Sequence, residues 1–179
     1  MKGAQVGRVA ALGYILQREV APSIGVATDR YLLGALGRRA RPGVLRVYAF
    51  PGDVLAAGRW HLAPPSATEL GEAFVRRITG GRALALGEGC LGVSLLWPHR
   101  SALASVVRSA LAAFQVPNRY VRGLMRALKQ LGLPAFYPGR DLVTVNRRPI
   151  AAESFETDEE GRLLFEAILA VGRPLSAVA

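Results

Sequence analysis

Arg76-Arg77-Ile78-Thr79-Gly80-Gly81-Arg82-Ala83 decides how this chain is read. Two arginines run into a Thr-Gly-Gly turn, and a third follows at once. Guanidinium groups are permanent cations that grip phosphate or carboxylate in a fork. Adjacent glycines let bare backbone amides close on the same anion with no Cβ in the way. A solvated charge cluster has no need of the glycines, and a plain hairpin turn has no need of the arginines. The stretch is therefore expected to be a loop that holds a negatively charged ligand.

Outward from that loop, composition limits the choices. The chain has 179 residues, 51% hydrophobic and 20% charged, which suits one domain with a real core. Apolar runs such as Leu91 to Trp97 stop at strand length, so no membrane span is expected. The weakly apolar Arg8 to Leu16 is too short for a signal peptide. A lone Cys90 excludes an internal disulfide and a cysteine-based zinc site, and His61 and His99 alone do not build a metal cluster. A cytoplasmic protein without structural metal is expected. The net charge of +10 is almost all arginine, since Lys2 and Lys129 are the only lysines. The excess calls for an anionic partner. Pairs such as Arg38-Arg39 and Arg147-Arg148 are scattered and not interleaved with aromatics, which speaks against nucleic acid.

The pattern predicts a helix over Thr28 to Arg39 ended by Pro42-Gly43, then a strand Val44 to Phe50. Pro51-Gly52 turns into a return strand Val54 to Trp60, read as a hairpin. A short helix from Ser66 through Glu72, with Glu69 as capping partner, precedes strands Phe74 to Ile78 and Arg82 to Leu86. Leu91 to Trp97 is apolar nearly throughout and is expected at the sheet centre. Helices follow from Ser101 to Phe114 and from Asn118 to Leu131, the second closed by Gly132. Strands resume at Ala135 to Tyr137, Leu142 to Val145, Ile150 to Phe155 and Leu163 to Val171. The order indicates an α+β fold with a mixed or antiparallel β-sheet and packed helices, in a single domain over residues 1–179.

In that order the elements resemble the lipoate–protein ligase family. Leu45 to Pro51 followed by Ala57-Gly58-Arg59-Trp60 looks like its first hairpin, and Arg76 to Gly81 matches its Arg-Arg-x-[Ser/Thr]-Gly-Gly signature. Arg140 to Asn146 resembles its later asparagine-aspartate-leucine strand, and Gly161-Arg162-Leu163-Leu164 stands where the family has His-Gly-Thr-Leu-Leu. The resemblance implies a biotin/lipoate ligase catalytic-domain fold with an acyl-adenylate in a cleft. It implies ligand contacts from Arg59, Arg77, Thr79, Gly80, Gly81, Arg82 and Asp141, and ATP with Mg2+ plus lipoate, octanoate or biotin as ligands. Arg76 is read as a surface ion pair.

Departures from the family pattern leave catalysis open. Its His-Asp pair is here Leu86-Gly87, and Pro149 takes the place of its lysine. Arg147, two positions back and read as sharing a strand face with that position, is the only substitute cation nearby. No counterpart of the family's C-terminal accessory domain is expected. Cys90 is expected to be buried, His61 and His99 at the surface, and Glu153 and Glu156 in solvent. The favoured function is ligation or transfer of a lipoyl, octanoyl or biotinyl group with an acidic acyl-carrier domain as partner. The alternative is a non-catalytic member that binds a ligand or works with a separate catalytic or accessory chain.

Overall fold

Strand β6, Cys90–Trp97, is hydrogen-bonded on both sides, to β2 (Val44–Ala49) and to β10 (Leu163–Ala170), each antiparallel. Its apolar run is thus explained by position: a strand with neighbours on both edges and layers on both faces has no solvent side. The computed structural model describes residues 12–36, 43–62, 74–102 and 111–178. Within them, β1 is Gly13–Gln17, α1 Pro22–Ala35, β3 Val54–Ala57, β4 Phe74–Arg76 and β5 Ala83–Leu86. After β6 come a 3-10 turn at Ala113–Gln115, α2 (Val116–Gln130), β7 (Ala135–Phe136), β8 (Leu142–Val145), β9 (Arg148–Thr157), β10 and β11 (Ser176–Val178).

The strands form a seven-stranded sheet in the order β1-β2-β6-β10-β9-β8-β7 and a four-stranded sheet in the order β11-β5-β3-β4. Parallel pairs β1-β2 and β3-β4 among antiparallel neighbours make both sheets mixed, as the α+β reading requires. Tyr48, Phe50, Val54, Ala56, Leu84, Leu86, Cys90 and Ile168 pack between the sheets. Behind the large sheet, Val116, Tyr120, Val121 and Leu128 of α2 pack on Trp97, Val143, Ala151 and Phe165. Leu33 and Leu36, at the end of α1, cover Val44, Leu96 and Leu164.

Several expectations need correction. Val54 to Trp60 is not the return strand of a hairpin: Pro51-Gly52 carries the chain from the large sheet into the small one, and β3 pairs with β4 and β5. Helix α1 starts at Pro22, whose fixed φ suits the first turn. Thr28 lies inside it and bonds back to the Ile24 carbonyl at 2.7 Å. Helix α2 likewise begins before Asn118, with Pro117 in its first turn, and Gly132 at φ 77° follows its end. β1 and β11 add to the expected strands. Ser66 to Glu72 and most of Ser101 to Phe114 lie outside the described residues.

One polar row crosses the apolar sheet. Arg46, Ser94, Glu166 and Ser154 stand opposite one another on β2, β6, β10 and β9, and all are buried. Asp29 of α1 takes Arg46 at 2.8 Å and the Ser94 hydroxyl at 2.7 Å. Buried charge needs such partners, because desolvation of an unpaired ion costs several kcal/mol, on the order of what a whole domain has to spare. The row therefore pins α1 to the sheet at one register.

Candidate functional site

The Thr79-Gly80-Gly81 loop is held from beneath by the end of that row. Arg77 donates its backbone N–H to Ala57 and turns its guanidinium inward, onto Glu166 at 2.9 Å and the Ser154 hydroxyl at 3.0 Å. Its other terminal nitrogen bonds the Arg82 carbonyl at 2.7 Å. The Thr79 hydroxyl donates to Glu166 at 2.5 Å and accepts from Ser154, while the Tyr48 hydroxyl takes the second Glu166 oxygen at 3.1 Å. Arg77, Thr79 and Glu166 are each at most 5% exposed. The arginine fork is thus engaged inside the protein. Only its Nε, also buried, has no hydrogen-bond partner.

Glycines here serve close chain approach. A Cβ on Gly58 would lie 2.1 Å from the Gly81 carbonyl oxygen, so the Gly58 backbone sits directly on the glycine pair. Gly81 has φ 88° and packs against Ser154. Gly80 faces only the edge of Trp60, at 3.8 Å. Arg76 is not a surface ion pair. It clamps the neighbouring loop through the carbonyls of Gly58 at 3.1 Å and His61 at 2.7 Å.

Two cavities adjoin the loop. One, about 500 Å³, is lined by Arg30, Leu33, Arg59, Arg76, Arg77, Ile78, Glu156 and Asp158. Arg59 pairs with Glu156 at 3.3 Å and stacks 4.7 Å over the Trp60 ring, and Asp158 is taken by Arg162. Glu156 is therefore half-buried and paired, where solvent was expected. Four arginines against two carboxylates leave this cavity cationic.

The second cavity, about 270 Å³, is lined by Gly80 and Gly81, by Phe114, Pro117 and Asn118, by Tyr137, Gly139, Arg140 and Asp141, and by Glu153 to Phe155. Arg82 forks onto Asp141 at 2.5 and 3.3 Å beside it. Glu153 was expected in solvent; instead it is 4% exposed. One carboxylate oxygen accepts the Tyr137 hydroxyl at 2.6 Å, and the other has no partner. Burial pushes the Glu153 carboxyl up to about 7, the Tyr137 hydroxyl pulls it back in part, and Asp141 adds to the rise. Burial and the adjacent carboxylate also raise the Tyr137 phenol.

The expected ligand set is thus divided. Arg59 and Arg77 line the first cavity, while Gly80, Gly81 and Asp141 line the second. Thr79 faces Glu166, and Arg82 is spent on Asp141. Arg147 lines neither cavity. It is exposed, at φ 66° in the turn before β9, and so does not share a strand face with residue 149. Pro149 is exposed and sits opposite Thr144, where the β8-β9 register slips, a position that tolerates a missing N–H. Leu86 is core, and a side chain at Gly87 would meet Asp53 at 2.1 Å. Cys90 is buried, as expected. His99 is exposed and accepts the Ser101 N–H at 3.1 Å.

Glu153 and Glu166 carry a signal in the sequence itself. Each is a carboxylate in the middle of an apolar strand, Ile-Ala-Ala-Glu-Ser-Phe and Leu-Leu-Phe-Glu-Ala-Ile-Leu. A charge in such a run is buried and must find a partner.

No family profile matches the chain, and no curated protein does. Solved structures do. The chain is similar to P. falciparum LipL1 in complex with lipoate, at TM-score 0.64 and 13% identity over 91% of this chain and 48% of that one. It is similar to a bi-partite lipoate protein ligase from Thermoplasma acidophilum, solved with its E2 lipoyl domain, at TM-score 0.62 and 19% identity over 90% and 62%. A lipoate-protein ligase A bound with ATP matches at TM-score 0.68 and 16% identity over 94% and 73%. The fold is that of the biotin/lipoate protein ligase catalytic domain. The chain spans about half the length of the first of these and about three fifths of the second.

Proposed function

We propose that this chain binds an acyl group with an anionic head, as lipoate, octanoate, biotin or the adenylate of one of them, in the arginine cavity beside the Thr79-Gly80-Gly81 loop. The observation that carries the reading is that cavity: Arg30, Arg59, Arg76 and Arg77 around about 500 Å³. A phosphate or carboxylate suits those donors. A divalent metal does not, because Glu156 and Asp158 are already taken by arginines. Among the described residues no three His, Cys, Asp or Glu converge elsewhere. When bound, ATP supplies the adenylyl group that activates a carboxylate.

The acceptor in this reading is an acidic carrier domain of lipoyl or biotinyl type. One structural neighbour was solved with an E2 lipoyl domain. Helix α2 offers a surface of matching charge: Arg119, Arg122, Arg126 and Lys129 recur along it with no acidic residue in the helix. Such a face steers an acidic partner at low salt and loses grip as salt rises.

Calorimetry with lipoyl-, octanoyl- and biotinyl-AMP tests the reading. One of them should bind, and Arg30→Ala and Arg59→Ala should each weaken it by about five- to tenfold. Absence of binding by all three defeats it.

A second reading, a partner-dependent or non-catalytic member, is favoured by Pro149 and Arg147. Neither brings a cation to the loop, so adenylation by this chain alone should be slow. Robust pyrophosphate exchange with any of the three acids would remove that reading.

A further inference from the structure

We propose that the end of the molecule where helix α2 and the β8-β9 turn meet rests on an anionic lipid surface. Its residues, Arg126, Lys129, Leu131, Leu133, Arg147 and Arg148, line neither cavity at the glycine loop, so the inference does not depend on the acyl reading.

The charge excess is concentrated here. From Val116 to Pro149 the chain has seven arginines and lysines against the single Asp141, a net +6 of its +10. Asp141 stands at the start of β8, where Arg82 takes it. The other end of that strand is left wholly basic. Arg126 and Lys129 near the end of α2, and Arg147 and Arg148 at the β8-β9 turn, are all exposed. Among the described residues none of these four is in an ion pair. Strand register brings the two pairs to one end. Leu133 lies between α2 and β7, and Ala135 of β7 stands opposite Val145, itself opposite Arg148. Two strand spacings, about 10 Å, thus separate Ala135 from Arg148.

Apolar side chains project from the same end. Leu131 is 76% exposed and Leu133 40%, and Phe136 on the adjoining edge strand is 64% exposed. The turn that carries the leucines has its donors in use. The N–H groups of Leu131, Gly132 and Leu133 bond to the carbonyls of Ala127, Leu128 and Lys129, and that of Ala135 bonds to Leu133. Gly132, at φ 77°, lets the chain close in this way. Such a turn takes leucine out of water without taking an unpaired N–H along. Leucines standing beside a group of cations match the layers of a bilayer surface, phosphate outside and acyl chain beneath. An acidic protein would meet the charges, but the projecting leucines would then need a fitted pocket, whereas fluid acyl chains take them as they stand.

Flotation of the full chain with vesicles tests this. Phosphatidylcholine vesicles with about one quarter phosphatidylserine should carry the chain, phosphatidylcholine alone should not, and rising salt should release it. Arg147→Ala and Arg148→Ala should each weaken the partition about fivefold. Leu131→Ser and Leu133→Ser should each weaken it about three- to tenfold, which a purely electrostatic contact would not show. A polarity-sensitive label on Leu131→Cys reads insertion directly, because Cys90 is buried. Its emission should shift to the blue on the anionic vesicles. Equal flotation with both vesicle types, no flotation with either, or an unshifted label overturns the proposal. Capture of polyglutamate without flotation also overturns it, and assigns this end to an acidic protein instead.

Discussion

The arginine cavity and the Glu153 cavity adjoin the same loop, yet they treat charge in opposite ways. In the first, Arg77 is tied to Glu166 and Arg59 to Glu156, and a surplus of guanidinium is left over. In the second, the arginine beside it is spent on Asp141, and a carboxylate keeps an open oxygen. The difference teaches that the arginine-glycine signature is first a structural device here. Arg77 holds the loop from inside through a hydrogen-bonded ion pair. Only what is left over, the surplus cations on one side and the half-satisfied acid on the other, carries unbalanced charge.

Removing the tie should have the largest effect. Arg77→Met leaves Glu166 buried with two hydroxyls and no counter-charge, so folding stability measured by urea should fall by about 3–5 kcal/mol. Pairing it with Glu166→Leu should recover much of that loss, because both desolvated charges go together. A single-variant loss under about 1 kcal/mol would mean the pair behaves as a solvated one, and the contrast between the cavities would lapse.

The open acid has a pH signature of its own. Asp29 and Glu153 are both raised by burial, from 3.8 to about 6 and from 4.5 to about 7. A folded state that holds these protons more tightly than the unfolded chain is destabilised once they leave. Stability should therefore fall as pH rises from about 5 to 8, by roughly 2–4 kcal/mol for Glu153 alone. Glu153→Gln should remove its share of that slope and leave the part near pH 6 that belongs to Asp29. Urea melts at four pH values check it; a wild-type slope of opposite sign would refute the assignment.

A smaller effect sharpens the role of the glycines. Gly58→Ala puts a methyl on the Gly81 carbonyl, which has to move. A loss of about 1–3 kcal/mol, with shifted amide resonances at residues 79–82, is expected. Unshifted resonances would show that the loop does not rest on Gly58.

Least of all should come from the exposed pair. Arg82 and Asp141 are 48% and 31% exposed, so Asp141→Asn should cost about 0.2–1 kcal/mol and less at high salt. A larger, salt-insensitive loss would make the second cavity as internally tied as the first.

Much of this was legible along the chain. The continuous apolar run of β6 told of a central strand, Gly132 of a helix end, and the order of strands and helices of an α+β fold. β1 and β11 were not legible, because short edge strands show little alternation. The split into two sheets was hidden for a related reason: Pro51-Gly52 is the same turn whether the next strand folds back or leaves for another sheet.

By itself, then, the sequence determined the periodic elements, the need for glycine at the loop and the cationic surplus, since each depends on residues close together or on a sum. Tertiary structure alone decided which way Arg77 points and that Glu153 is buried. Arg77 meets Ser154 and Glu166 across separations of 77 and 89 residues, and Tyr137 meets Glu153 across 16. An ion pair depends on where two side chains come to lie in space, and no local pattern states that. The same guanidinium reads as a ligand's fork or as the protein's own, and only the fold places the carboxylate that takes it.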